Sequence, residues 1–285
     1  MTPTRTAARA DATVTLNNGV RMPRLGFGVS EARDAERSVS EALAQGYRSI
    51  DTAAVYGNEE GVGRAIAASG LRRDELFITT KVWNGHEGCQ HAKDCAAASL
   101  ERLGLDHVDL YLVHWPTDVF AECVQTWSGL EDLHADHRAR AIGVSNFRAG
   151  HLRRLLVLGG TMPAVNQVEL HPHLQQHEMR ALHAAHGIVT EAWSPLGRGA
   201  VLEEPALRGI AERLDATPAQ VVLAWHLREG HVVIPKSDTP ARIAENRAAA
   251  DLDLTDDDLA AIAALDVPED AGRIGPVPAD PGADG

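Results

Sequence analysis

Cysteine is scarce: the 285 residues hold three, Cys89, Cys95 and Cys123. The number is odd, and no Cys-x-x-Cys pair occurs, so no disulfide framework is expected. Positive charge is short as well. Lysine and arginine total 27 against 40 aspartates and glutamates, a net charge of −13, the reverse of the basic footprint that nucleic acid or an anionic membrane surface requires. Long apolar runs are missing: nothing approaches the roughly 20 residues of a membrane span. Met1 to Asp11 carries arginines with no apolar stretch behind them, so no secretion signal is read there. These absences predict a cytoplasmic protein with no nucleic-acid or membrane partner. No segment reads as a docking element, and a monomer is expected.

Two further scarcities narrow the chemistry. Three of the 27 basic residues are lysine, namely Lys81, Lys93 and Lys236. A chain that otherwise writes arginine thus keeps a compact ammonium at few positions, and the two side chains are not interchangeable. Tyrosine is confined to Tyr47, Tyr56 and Tyr111, so a reaction needing a phenol has three candidates. What is present is ordinary: 44% hydrophobic and 24% charged residues exclude wholesale disorder, and the length suits one large α/β barrel or two smaller domains.

After a polar leader, residues 1–12, the stretch Thr13 to Met22 predicts a hairpin about Asn18-Gly19. Eight short apolar runs follow: Leu25 to Gly28, Arg48 to Asp51, Leu76 to Lys81, Val108 to Val113, Ala141 to Ser145, Ala164 to Val168, Ile188 to Trp193 and Val232 to Pro235. Segments of helical spacing separate them, among them Ala35 to Gln45, Ala92 to Leu103, Glu122 to His134 and Leu152 to Leu158. Alternating β and α units imply a parallel sheet, and eight units favour a closed (β/α)8 TIM barrel over an open doubly wound sheet, which remains the alternative. The stretch from Ser194 to Gly230 is read as an extra loop with two helical segments. Thr255 is placed as the N-cap of an extra C-terminal helix, Asp256 to Leu265, on the outside of the barrel. A single barrel domain is assigned to residues 13–270. Residues 271–285, rich in glycine, proline and aspartate, are expected to form a flexible tail or a loop draped over the active face.

Barrel enzymes carry their reactive groups at the C-terminal ends of the strands. Asp51, Lys81 and His114 end or follow the second, third and fourth apolar runs, and Tyr56 lies in the loop after Asp51. Neighbouring strands stand about 4.8 Å apart, so these groups can converge. A phenol titrates near 10 and needs help to deliver a proton at neutral pH. An ammonium beside it stabilises the phenolate, a carboxylate holds the ammonium, and an imidazole orients a carbonyl oxygen. The set is a proton donor aimed at a carbonyl. A lysine beside an acid at a strand end also suits a Schiff-base aldolase. The pair His171 and His173 has no third ligand at suitable spacing, so no metal is expected.

The stretches Gly46 to Ala53 with Tyr56 to Glu59, Val113-His114-Trp115-Pro116, Ile142 to Phe147, Asn166 to Pro172 and Ile234-Pro235-Lys236-Ser237 resemble, in that order, the aldo-keto reductase family. Within it the chain looks closest to the bacterial 2,5-diketo-D-gluconate reductase-like group, although Ser30 stands where members of that group often carry an aromatic residue. The resemblance implies reduction of aldehyde and ketone carbonyls with a catalytic tetrad of Asp51, Tyr56, Lys81 and His114. Tyr56 is then the general acid, with hydride from a nicotinamide. It implies carboxamide binding by Ser145, Asn146 and Gln167, and a stacking platform at Trp193. Because some regulatory subunits resemble the same family, it leaves a nicotinamide-sensing, non-enzymatic protein as a third reading.

No Gly-x-Gly-x-x-Gly fingerprint occurs, so the loop Ser194 to Gly199, with Leu196, Gly197 and Arg198, is the candidate for the pyrophosphate. Lys236, Ser237 and Arg242 offer an ammonium, a hydroxyl and a guanidinium for a 2′-phosphate, and the resemblance adds Glu245 and Asn246 near the adenine. NADPH is therefore expected, with NADH a weaker alternative. Trp83, Trp115 and Phe147 follow strand ends and are the candidate walls for a small carbonyl substrate, such as an α-dicarbonyl, an aldehyde or a keto-sugar acid.

Overall fold

The computed structural model describes residues 12–83 and 88–279. The hairpin forms as expected, with β1 (Thr13–Thr15) antiparallel to β2 (Arg21–Pro23). Eight parallel strands follow: β3 (Phe27–Gly28), β4 (Ser49–Asp51), β5 (Phe77–Val82), β6 (Val108–Val113), β7 (Ala139–Ser145), β8 (Val165–Glu169), β9 (Val189–Trp193) and β10 (Val232–Val233). They pair in chain order. The ring closes between its first and last members, where the Gly26 N–H donates to Val233 O at 2.9 Å, Val233 N–H to Arg24 O at 2.9 Å and Gly28 N–H to Pro235 O at 3.1 Å. This closure makes a (β/α)8 barrel and excludes the open sheet, whose edge strands would stay unpaired.

The helices wrap the outside because each buries one stripe. In Ala35–Ala44 the buried residues are Ala35, Ser38, Val39, Ala42 and Leu43, the spacing of a single helical face, and Asp34 caps the start by accepting from the Arg37 N–H. After β9 come the two expected helices, Pro205–Arg213 and Pro218–Arg228. The extra helix Asp256–Ala263 opens on Thr255, whose hydroxyl accepts from the Asp258 N–H while Asp258 accepts from the Thr255 N–H. Arg213 pairs with Asp258 at 2.6 Å and docks this helix on the outer shell. No helix among the described residues is long and apolar enough to cross a membrane.

The hairpin closes the bottom of the barrel. Leu16 and Met22 are buried in a cluster with Phe77, Leu110, Leu112, Val165 and Val232 from inside the ring, and the Asn17 and Asn18 side-chain amides donate to Pro163 O and Arg140 O. Met22 is fully buried, so Met22→Ala is expected to cost about 2–5 kcal/mol through lost burial and the cavity left behind. Urea unfolding checks this, and a loss under about 1 kcal/mol would mean the hairpin is an appendage and not a plug. With the lower end closed, a ligand has access to the interior only from the C-terminal ends of the strands.

Candidate active site

Register places the reactive groups. Asp51 pairs with Thr79 across β4 and β5, and side chains of a strand alternate faces, so Lys81, two residues beyond Thr79, points to the same interior as Asp51. Lys81 is fully buried. Its ammonium donates to Asp51 Oδ1 at 2.6 Å and to Thr52 O at 2.9 Å. The Tyr56 ring centroid lies 5.3 Å from Lys81 Nζ, and His114 meets Tyr56 edge-on at 5.6 Å between centroids. Tyr47 and Tyr111 are each 1% exposed in the core. Of the three phenols, Tyr56 is therefore the one that opens on the cleft above the barrel.

That cleft has a volume of about 380 Å³. Asp51, Tyr56, Trp83, His114, Trp115, Ser145, Asn146, Gln167 and Trp193 line its barrel end, and Ser194, Leu196, Arg198 and Lys236 line the rest together with Ser30, Glu31 and Pro276. Seven described non-glycine residues have left-handed backbone, and four of them, Glu31, Asn146, Ser194 and Arg198, are on this lining. Strained backbone gathers where side chains must be aimed.

The charges are organised by burial. Burial draws the Lys81 pKa down, but the opposing charges of Asp51, Tyr56 and Glu191 and the Asp51 hydrogen bond carry it above the ordinary lysine value. The ammonium therefore stays charged in the interior. It neither reaches the cleft lining nor frees a lone pair, which removes the basis for an amine nucleophile. Burial, reinforced by Lys81, pushes the His114 imidazole down to about 3. Burial and Asp51 push Glu191 up to about 8.

Stability follows from these shifts with a definite sign. The unfolded chain protonates its histidines near 6.5, whereas burial holds folded His114 and His226 neutral to about 3 and His183 to about 4. Below 6.5 the unfolded state binds the extra protons, so stability is lost as pH falls from 6.5 toward 3. Glu191 acts oppositely, its contribution being full below about 4.5 and lost toward 8, but three imidazoles outweigh it. Melting temperatures measured at pH 7, 6, 5 and 4 are expected to fall step by step; a flat or rising series would contradict the neutral buried imidazoles.

A network fixes the neighbouring amides. The Gln167 amide nitrogen donates to Asp51 Oδ2 and to Glu191 Oε2, both at 2.8 Å, so both Asp51 oxygens are held and the Gln167 amide is oriented. The Asn146 amide donates to His114 O at 2.9 Å and to Ser145 Oγ at 3.0 Å, and its oxygen accepts from the Trp193 indole N–H at 2.8 Å. Glu191 escaped the sequence reading, although a lone carboxylate inside a buried strand was a usable signal.

The aldo/keto reductase family model matches residues 18–267. The chain belongs to the aldo/keto reductase family. Among its relatives, an aldo-keto reductase of Mycolicibacterium vanbaalenii is 53% identical over 263 residues, covering 92% of this chain and 94% of that one. Methylglyoxal reductase DkgA of Escherichia coli is 45% identical over 269 residues, covering 93% and 96%. The crystal structure of a Gox0644 mutant in complex with NADPH superposes with a TM-score of 0.89 at 42% identity, covering 94% of this chain and 97% of that one. The protein is thus an oxidoreductase, and the barrel, the cleft and the family agree.

Not every expected residue of this aldo/keto reductase lies on the cleft. Trp83 and Trp115 do, Trp83 standing edge-on to His114 at 5.4 Å. Phe147 does not: left-handed Asn146 turns the chain, and Phe147 is buried at 2% exposure against His151. Gly197 lies behind the lining, its N–H bonded to Ser194 O, and a Cβ added there would meet the Val201 side chain at 2.8 Å. At the far end Arg242 is exposed in the first turn of the helix Pro240–Ala248. Ser237 bonds within its own turn, where its hydroxyl accepts from the Thr239 N–H at 3.1 Å. Glu245 is turned away to accept from the Thr217 hydroxyl at 2.7 Å, and Asn246 is buried. His171 and His173 bond to Glu169 and Glu204 respectively.

The C-terminal segment forms part of the rim. Buried Glu169, at the end of β8, accepts from the Ile274 N–H at 2.6 Å, the Gly275 N–H at 2.9 Å and the Arg273 guanidinium at 3.4 Å. Gly275 is required there: a Cβ would meet the Trp193 ring at 2.4 Å. Of the two readings of the tail, residues 273–276 take the draped form; 280–285 lie outside the described residues.

Proposed function

We propose that the protein reduces aldehyde and ketone carbonyls with NADPH, its substrates being small α-dicarbonyls, simple aldehydes or keto-sugar acids. The observation that carries this reading is the buried Lys81–Asp51 pair beneath the one phenol that opens on the cleft. Tyr56 gives its hydroxyl proton to the carbonyl oxygen. Lys81, charged and immobile, favours the phenolate left behind, and Asp51 holds Lys81 in place. His114, neutral at working pH, orients the carbonyl oxygen by hydrogen bonding. Trp83 and Trp115 provide an apolar wall that limits water and selects small substrates.

The cleft fits a nicotinamide nucleotide in its chemistry. Trp193 offers a flat face, Ser145, Asn146 and Gln167 offer amide and hydroxyl groups, and Lys236 supplies a cation, all on the same lining. Arg198 and the loop from Ser194 are on that lining too, and Arg242, exposed in the helix that follows Lys236 in the chain, is the guanidinium for a 2′-phosphate. When bound there, the reduced nicotinamide supplies the hydride. The NADPH complex of the Gox0644 mutant and the methylglyoxal reductase name of the Escherichia coli relative support the cofactor and the substrate class.

The test is consumption of NADPH and NADH, followed by absorbance, with methylglyoxal, an aromatic aldehyde and a diketo sugar acid. Turnover with NADPH on at least one of them is expected. Tight NADPH binding without turnover on any carbonyl would overturn the proposal in favour of a nicotinamide sensor.

A further inference from the structure

The basic cluster beyond β10 contains a carboxylate. Lys236 donates to Asp238 Oδ2 at 2.6 Å, with both side chains only partly exposed. The other Asp238 oxygen accepts from the Arg33 N–H and from the Ser38 hydroxyl, both at 3.2 Å. The carboxylate is therefore pinned from three sides, two of them on the loop and helix that follow β3. Burial would raise its pKa, yet the Lys236 bond and charge and the Arg33 and Ser38 bonds hold it below the usual aspartate value, so it is ionised at neutral pH. The ammonium expected to meet a phosphate is already paired. Of the remaining groups there, Arg242 is exposed and Ser237 is engaged in its own turn.

A ribose 2′-phosphate and a ribose 2′-hydroxyl meet this arrangement differently. A phosphate, itself carrying about −1.5 to −2 charge, must compete with Asp238 for Lys236 and is repelled by Asp238 itself. A hydroxyl carries no charge, and a carboxylate near a ribose is the device by which dinucleotide sites accept a 2′-hydroxyl. Lys236 and Arg242 thus favour one cofactor and Asp238 the other. We propose that Asp238 is a specificity-determining residue that lowers the discrimination of this reductase against NADH, by holding Lys236 and by presenting its own charge to the 2′-phosphate. The inference rests on the reading of this region as the adenosine end of the cofactor site.

Binding is read without turnover, by quenching of tryptophan fluorescence on titration with NADPH and, separately, with NADH, for the wild-type protein, Asp238→Asn and Arg242→Ala. Asp238 lies near the surface, so its isosteric change leaves the fold intact. Asp238→Asn is expected to tighten NADPH about tenfold, the size of one repulsion at partly screened range, while NADH is unchanged or weakened. Raised salt shrinks that gain. An unchanged NADPH to NADH ratio in Asp238→Asn, with Arg242→Ala still weakening NADPH selectively, overturns the role of Asp238 and leaves the site standing. Weaker NADPH binding in Asp238→Asn also overturns it, because Asp238 would then be positioning Lys236 for the phosphate. Equal losses of both cofactors in Arg242→Ala would instead remove the adenosine end from this region.

Discussion

Tyr56→Phe is expected to lower kcat for carbonyl reduction by about three orders of magnitude, within the range that a positioned proton donor contributes, while the Kd for NADPH stays within about twofold. The substitution deletes one oxygen from a ring that keeps its packing against His114. No other phenol can take over, because Tyr47 and Tyr111 are closed into the core, and His114 has no proton to give as an acid near neutrality, its pKa lying at about 3. Stopped-flow single turnovers separate the chemical step from cofactor release. A drop smaller than tenfold in the single-turnover rate would mean that the proton comes from elsewhere.

Lys81→Met is expected to have the largest effect on stability. Lys81 is wholly buried and Asp51 nearly so, and removing one partner strands the other charge in the interior, a loss of about 3–5 kcal/mol. Asp51 would keep its bond from the Gln167 amide, which it shares with Glu191, but would lose both the charge and the hydrogen bond of the ammonium. Activity is lost as well, since the phenolate has no stabilising charge. The double variant Asp51→Leu with Lys81→Met separates these effects: an apolar pair of similar volume restores most of the stability and none of the activity. Denaturant midpoints and kcat measured on the same preparations check both halves. A Lys81→Met protein as stable as the parent would show that the pair does not hold the barrel interior together.

The strands were legible because each is a short apolar run, all but the first ending at or just before a polar residue, and burial on both faces leaves few other ways to use such a run. Asp51, Lys81 and His114 were legible for the same reason, as polar residues where the barrel opens. The helix Glu59–Ala68 was not singled out, its apolar stripe being broken by Gly61 and Gly63. Phe147 was placed on the cleft wall, whereas Asn146, a residue type that readily takes the left-handed backbone, turns the chain and carries Phe147 into the core. Glu169 could not have been read as the anchor of the tail, because the Ile274 and Gly275 N–H groups it holds are backbone and more than a hundred residues away. Asp238 was in plain view beside Lys236, but a count of nearby cations does not say which of them is already paired.

In the proposed reaction the carbonyl carbon takes its hydrogen from the nicotinamide and its oxygen takes a proton through Tyr56. The most direct measurement uses NADPH deuterated at the nicotinamide hydride position with methylglyoxal in ordinary water, followed by mass spectrometry and NMR of the alcohol. One deuterium is expected on the new carbinol carbon, and none there when unlabelled NADPH is used in heavy water. A product whose carbinol hydrogen comes from solvent would contradict it.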